Sequence, residues 1–316
     1  MALTKTQTKF VKFLADLWLP HRDLIDSQQL DPTKPCVTEL NSTGFVHQYE
    51  ITNNAAWRDW KAGIAGRHGA LGSGFASLRQ HRWWCRSLKE ACLHYSWSKG
   101  SAARFSQLSQ DIKTAINIRD TPQVRALCLE IFQWGGVARK LDDASRLWVE
   151  SSASKGTLIA SLCQAPQLLQ AASTSSLASF DGRQLLMNSA MTKVYVAVDS
   201  TQSIAMYDGR VGAALGLLAR LFLHSTQGPT LPEDLAFLWG PMQGIGKTNL
   251  RNPSADPYIF KSLYASSITD QVRAEVSRQT NRILAAASRL ICQEGLHTAT
   301  VHDFEKALFM IGYRVQ

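Results

Sequence analysis

At 316 residues, with 45% hydrophobic and 19% charged side chains, the chain carries enough apolar surface to bury a core without disulfides or a structural metal; this excludes a disordered segment or a stapled mini-protein. Lys and Arg outnumber Asp and Glu by 34 to 25, a formal charge of +9 with a pI near 9.3. A field of that sign attracts polyanions, so composition points to DNA, RNA or an anionic membrane surface, with simple solubility as the alternative.

Helical periodicity dominates from the start. Between Thr4 and Trp18, the residues Phe10, Val11, Phe13, Leu14, Leu17 and Trp18 fall largely on one face, and Pro20 ends the pattern. Asp16 interrupts the apolar stretch and no small-residue cleavage site accompanies it, so the segment predicts a folded helix rather than a secretory leader. Turn formers fill 31–44, Phe45 to Thr52 alternate as a short strand, and Asn54 is placed to cap a helix through Trp57 and Trp60. Four glycines between Gly66 and Gly74 mark a joint. A long aromatic-rich helix is predicted over Phe75–Trp97 and a second over Ala102–Ile118. Pro122, in the first helical position, opens a third that Gly135-Gly136 closes. A fourth runs near Lys155–Ala171.

The Ser/Thr/Ala-rich stretch Ala171–Ser179 reads as a linker. It divides the chain into an N-terminal helical region, 1–172, and a helical region, 173–316, that holds the candidate chemistry; one compact domain is the alternative. Further helices are predicted near Gly182–Ser189, over Gly209–His224, from Thr230-Leu231-Pro232 to Leu238, over Ser267–Gln293 and over Thr300–Gly312, with Thr300 as cap. The most apolar segment, Val211–His224, contains Arg220 and is too short to cross a bilayer. The six cysteines are scattered without a C-x-x-C pair, as expected of reduced, buried thiols. These features together predict a soluble, cytoplasmic, mostly α protein that engages no membrane.

Several segments invite chemistry. Gly244-Ile245-Gly246-Lys247-Thr248 ends like a phosphate-binding P-loop, but Pro241 stands where its first glycine belongs, and prolines follow where that motif needs a helix. No nucleotide cofactor is implied; Lys247 is kept as a candidate DNA contact. His81, Cys85, Cys92 and His94 do not share one helical face, and Trp83, Trp84, Leu88 and Leu93 give that segment a core stripe, so no metal site is predicted. Arg79, His81, Arg82, Arg86 and Lys89 interleave with Trp83, Trp84 and Tyr95. That pattern suits phosphate contacts and base stacking, or equally a solvated basic face backed by core tryptophans. In the polar loop 249–254, Arg251 suits a phosphate or a base edge, and a plain surface connection is the alternative.

The stretch 185–218 is the most informative. It turns through Asn188-Ser189, presents Thr192-Lys193, passes Asp199 and reaches Asp208 immediately before the helix that starts at Gly209. An acid there suits a helix cap, since free N–H groups favour its carboxylate. The order of elements also resembles the helix-hairpin-helix DNA glycosylases, in which a hairpin ending in Thr-Lys or Val-Lys precedes a helix, a loop and a catalytic Asp opening the next helix. Thr192-Lys193 and Tyr207-Asp208-Gly209-Arg210-Val211 stand in those places, over about thirty residues of the chain. Ser189-Ala190-Met191 occupies the family's Gly-x-Gly position, and Lys193 precedes Asp208 by fifteen residues, about one helical turn less than the family pattern. Val194–Val198 has strand-like propensity.

The resemblance implies a helix-hairpin-helix glycosylase-like helical core with an extended N-terminal helical half. It also implies excision of a damaged or modified base from DNA and no cofactor, iron–sulfur cluster included. Asp208 would stabilise positive charge developing on the sugar, and Lys193, with its amine deprotonated, could attack the sugar carbon to form a Schiff base. Asn188, Ser189, Thr192, Tyr207 and Arg210 would contact DNA. Bacterial proteins with such a core include antiviral ones that attack modified phage bases, which extends the implied substrates to glucosylated hydroxymethylcytosine. A non-catalytic DNA-binding module of a multi-protein system would need the same basic surface without an acid facing a cleft.

Overall fold

The structure, a computed structural model, describes residues 3–19, 36–41, 44–50, 82–95, 97, 101–242, 249–293 and 298–316. The helix expected through Trp57 and Trp60, the glycines of 66–74, Arg79, His81 and the segment Gly244–Thr248 with Lys247 lie outside these residues. In chain order the elements are α1 (Lys5–Asp16), β1 (Cys36–Asn41), β2 (Gly44–Glu50), β3 (Arg82–Cys85), α2 (Leu88–Leu93), α3 (Ala102–Asn117), α4 (Thr121–Gly135), α5 (Ala144–Ser154), α6 (Leu158–Leu169), α7 (Met191–Val198), α8 (Gly209–Ser225), α9 (Asp270–Gln293) and α10 (Val301–Ile311). The described residues are mostly helical with one small sheet, and no helix among them is long and apolar enough to cross a membrane.

Two compact units form. One, the helical unit, is drawn from Lys99–Asp208 and Tyr264–Ala285; the other, the sheet unit, from Leu3–Ser98, Gly209–Leu263 and Ala286–Gln316. Residue 172, read from sequence as a boundary, falls within the helical unit.

In the sheet unit, α1 starts with a capping box: the Thr4 hydroxyl accepts the Gln7 N–H at 3.0 Å, and the Gln7 side chain accepts the Thr4 N–H at 3.1 Å. Its apolar face sets Phe10 against Phe222 and Phe237, at ring separations of 5.5 and 6.0 Å. The antiparallel sheet runs β1-β2-β3, with His47 opposite Cys85 and Tyr49 opposite Trp83. This corrects the single long helix expected over Phe75–Trp97: among the described residues of that span, Arg82–Cys85 is a strand and only Leu88–Leu93 is helical. Trp83 and Trp84 are both buried, and β propensity of the aromatic pair beside β2 overrides the helical pattern. Helix α10 opens with a capping box between Thr300 and Asp303 and packs on α2 and α8.

His47 is fully buried, its Nδ1 2.7 Å from Thr38 Oγ1 and its Nε2 3.1 Å from the Ile311 carbonyl. A carbonyl can only accept, so Nε2 carries the proton and the Thr38 hydroxyl donates to Nδ1. Burial lowers the imidazole from 6.5 to about 4. Between those values the unfolded chain binds a proton that the native ring refuses, so stability is complete above pH 6.5 and falls as pH drops towards 4, by roughly 3 kcal/mol. Urea midpoints at several pH values should show that slope in the wild type and a shallower one in His47→Gln. Equal slopes in the two proteins would remove His47 as the cause.

The helical unit packs α3 on α4 and α7, and α7 also on α6 and α4. Helix α4 is capped by Asp120, carries Pro122 in its first turn and ends at Gly136 in the left-handed region, φ 63°. Helix α5 was not legible as a separate element, whereas α7 forms where strand propensity had pointed elsewhere. Met191 to Ala197 are buried on every face, so packing rather than propensity decides α7. The helix expected near Gly182–Ser189 is instead a run of bends. Asp181 Oδ1 accepts the N–H groups of Arg183 and Gln184 as a cap would, but Gly182 sits at φ 80°, outside the right-handed helical region, and the Leu185 N–H bonds to the Ser179 carbonyl, so no helix follows. Likewise Thr230–Leu238 yields only a short 3₁₀ turn at Glu233–Leu235, in the sheet unit.

All six cysteines are free. Cys85 and Cys128 are buried and Cys36 and Cys92 partly so, while Cys163 and Cys292 are exposed, contrary to the expectation that all are buried. Burial pushes the Cys36, Cys92 and Cys128 thiols up to about 12.

Candidate active site

The first turn of α7 and the residues just before α8 meet within the helical unit. The Lys193 side chain lies back along its helix, and its Nζ donates to the Ser189 carbonyl at 3.0 Å. Asp208 Oδ2 stands 3.7 Å from the same nitrogen. Only 7% of the lysine side chain and 16% of the aspartate side chain reach solvent. An ion pair so sheltered is weakly screened, and each charge orients the other.

Three neighbours hold the pair. The Thr192 hydroxyl lies between the carbonyls of Ser189, 3.3 Å, and Tyr207, 3.4 Å, which ties the first turn of α7 to the residue preceding Asp208. Asn188 Oδ1 accepts the N–H groups of Ala190 and Met191 at 2.9 and 3.0 Å, and its Nδ2 donates to Ser145 Oγ at 3.0 Å. Two of the donors at the start of α7 are therefore satisfied by the Asn188 side chain, and that start is fastened to α5. Gly135 supplies the third constraint: a Cβ there would lie 2.5 Å from Lys193 Cδ and 2.8 Å from Cε. The lysine stem crosses the end of α4 where only glycine leaves room.

The loop from α7 to Asp208 is held by Asp199. Its two carboxylate oxygens accept from the Thr201 N–H and hydroxyl and from the Ser203 and Ile204 N–H groups. The next N–H, of Ala205, donates to Asn281 Oδ1 of α9 at 2.9 Å.

The residues read from sequence as a site divide accordingly. Lys193 and Asp208 come together with Asn188, Ser189, Thr192 and Tyr207 around them. Among these, Asn188 spends its amide on α7 and Ser145, Tyr207 is buried, and Ser189 and Tyr207 contribute backbone carbonyls. Arg210 and Arg251 belong to the sheet unit. The Arg210 guanidinium lies 4.2 Å from the Phe309 ring centroid, 5.3 Å from that of Tyr313 and 5.4 Å from that of Trp97, an aromatic enclosure worth on the order of 1 kcal/mol or more by cation–π attraction. Arg251 Nε donates to the Tyr313 carbonyl at 3.2 Å. Gly135, Ser145 and Asp199 were not singled out by sequence. Gly135 left one trace, because Gly136 alone suffices for the left-handed end of α4 and a second glycine beside it needs another reason.

Compared with protein-family models, curated protein sequences and solved structures, the chain shows no significant match to any.

Proposed function

We propose that this protein is a DNA N-glycosylase that removes a damaged or modified base, with Asp208 and Lys193 as its catalytic pair. The observation that carries the reading is the sheltered 3.7 Å approach of an ammonium and a carboxylate from two separate elements. Cleavage of an N-glycosidic bond builds positive charge on the sugar, and a carboxylate fixed beside C1′ stabilises it. Either of two nucleophiles then completes the reaction. Water, deprotonated by Asp208, adds to C1′ and leaves an abasic site. Alternatively the Lys193 amine, after passing a proton to Asp208, adds to C1′ as the base departs, and the resulting Schiff base permits strand cleavage. The net charge of +9 supplies attraction for the phosphate backbone.

The test uses labelled duplexes carrying normal, damaged or hypermodified bases, glucosylated hydroxymethylcytosine included, followed by alkali to reveal abasic sites. Release of a base is expected from at least one modified duplex, and borohydride during the reaction traps a covalent complex if Lys193 is the nucleophile. If no duplex releases a base while binding stays tight and salt-sensitive, the chain is a non-catalytic DNA-binding module instead.

A further inference from the structure

The connection from α4 to α5, residues 136–143, is fastened at both ends to the residues that hold Lys193. At its start, Gly135 carries the lysine stem, and the N–H groups of Gly136 and Val137 bond back to Gln133 and Phe132. At its end, Asp143 caps α5 through the Ser145 N–H, and the Ser145 hydroxyl receives the Asn188 amide. Between these anchors Ala138 is held at φ 48°, a left-handed conformation that costs a non-glycine residue about 1 kcal/mol or more. The Asp143 N–H then closes a turn on the Lys140 carbonyl at 3.2 Å, with Leu141 at its tip.

Leu141 is 82% exposed, the most exposed of the large apolar side chains among the described residues. A single exposed leucine is ordinary on a protein surface. This one projects from a constrained turn, and Ser145 lies four positions further along the chain, a reach of about 14 Å at most. Arg139 and Lys140 precede it, both exposed, and Arg146 follows on the first turn of α5. The acids nearby are Asp142, exposed at the tip, and Asp143, whose carboxylate is turned to its cap. The arrangement combines an apolar tip, cations behind it and attachment to the catalytic pair on both sides.

Turning a nucleotide out of a duplex leaves a gap in the base stack, and an apolar side chain that enters the gap offsets part of the unstacking cost. We infer that Leu141 is the side chain that fills this gap, with Arg139 and Lys140 on the phosphates beside it. The inference rests on the glycosylase reading for its substrate, but its test does not need catalysis.

Affinity is measured by fluorescence anisotropy for a duplex with one tetrahydrofuran abasic analogue and for the same duplex unmodified. The wild type is expected to prefer the gapped duplex at least tenfold. Leu141→Ala should lose most of that preference while keeping its affinity for the unmodified duplex, and Leu141→Phe should retain it. Ile118→Ala, which removes another exposed apolar side chain of the helical unit, should change neither. Replacing Arg139 and Lys140 by Ala should weaken binding to both duplexes alike and reduce the salt slope by about 2. A Leu141→Ala protein with the wild-type preference, or a wild type that binds both duplexes equally, overturns the inference. Failure of the glycosylase reading looks different: no base is released from any duplex, yet the preference for the gap exists and depends on Leu141.

Discussion

Asp208→Asn is expected to lower base release by at least 100-fold, about 3 kcal/mol of transition-state stabilisation, while DNA affinity stays within a few fold of the wild type. The substitution keeps the shape of the side chain and removes the negative charge. On the proposed mechanism the sugar cation then loses its counter-charge, and neither water nor Lys193 has a carboxylate to receive its proton. In the ground state the same change leaves the Lys193 ammonium with the Ser189 carbonyl and an amide oxygen in place of a carboxylate. A sheltered pair broken on one side costs stability, here about 1–3 kcal/mol given the partial exposure of Asp208. Tm and activity should therefore be read together, at a temperature where the variant is fully folded. Activity above a tenth of the wild type under those conditions would reduce Asp208 to a structural partner of Lys193.

The second large effect is expected from the smallest change, Gly135→Ala. A methyl group on Gly135 meets Lys193 Cδ and Cε at distances no carbon pair tolerates, so the lysine stem must move and its ammonium with it. A displacement of about 1 Å from productive geometry costs on the order of 100-fold, and a loss of 10- to 100-fold in base release is the expected result. Stability should not fall in parallel, because alanine in the last turn of α4 gains up to about 1 kcal/mol in helix propensity over glycine. Gly136→Ala provides the contrast. Its φ of 63° strains an alanine by roughly 1 kcal/mol, so Tm should drop while activity per folded molecule is kept. Full activity in Gly135→Ala would mean that the position of Lys193 is not critical.

Local chemistry made the helix ends legible in the sequence and tertiary context hid the rest. Thr4, Pro122, Gly136 and Thr300 mark their termini through caps that depend on immediate neighbours. Val194, Val196 and Val198 favour a strand by themselves, yet most of α7 is buried among α3, α4 and α6, and only those partners make it helical. The opposite happens at Trp83 and Trp84, which fit a helical stripe until β2 offers them a strand partner. Near Gly182, a φ of 80° and a Leu185 N–H bonded to the Ser179 carbonyl take the chain off the helical path. The approach of Lys193 to Asp208 was open to sequence reading because both lie on one short stretch of chain. The glycine beneath the lysine and the serine that fixes Asn188 come from α4 and α5, and no spacing rule connects them to residue 193.

Neither unit is one continuous piece of chain. The sheet unit needs its first strands, the central α8 and the last helix α10, whose Met310 and Ile311 carbonyls receive the Tyr49 hydroxyl and the His47 ring. During synthesis, β1 and β2 therefore leave the ribosome long before the carbonyls that complete them exist. The helical unit likewise waits for the Arg278, Asn281 and Arg282 donors of α9, which satisfy the carbonyls of 168–175. Folding of each unit is therefore deferred until its last segment has been made, α9 for the helical unit and α10 for the sheet unit.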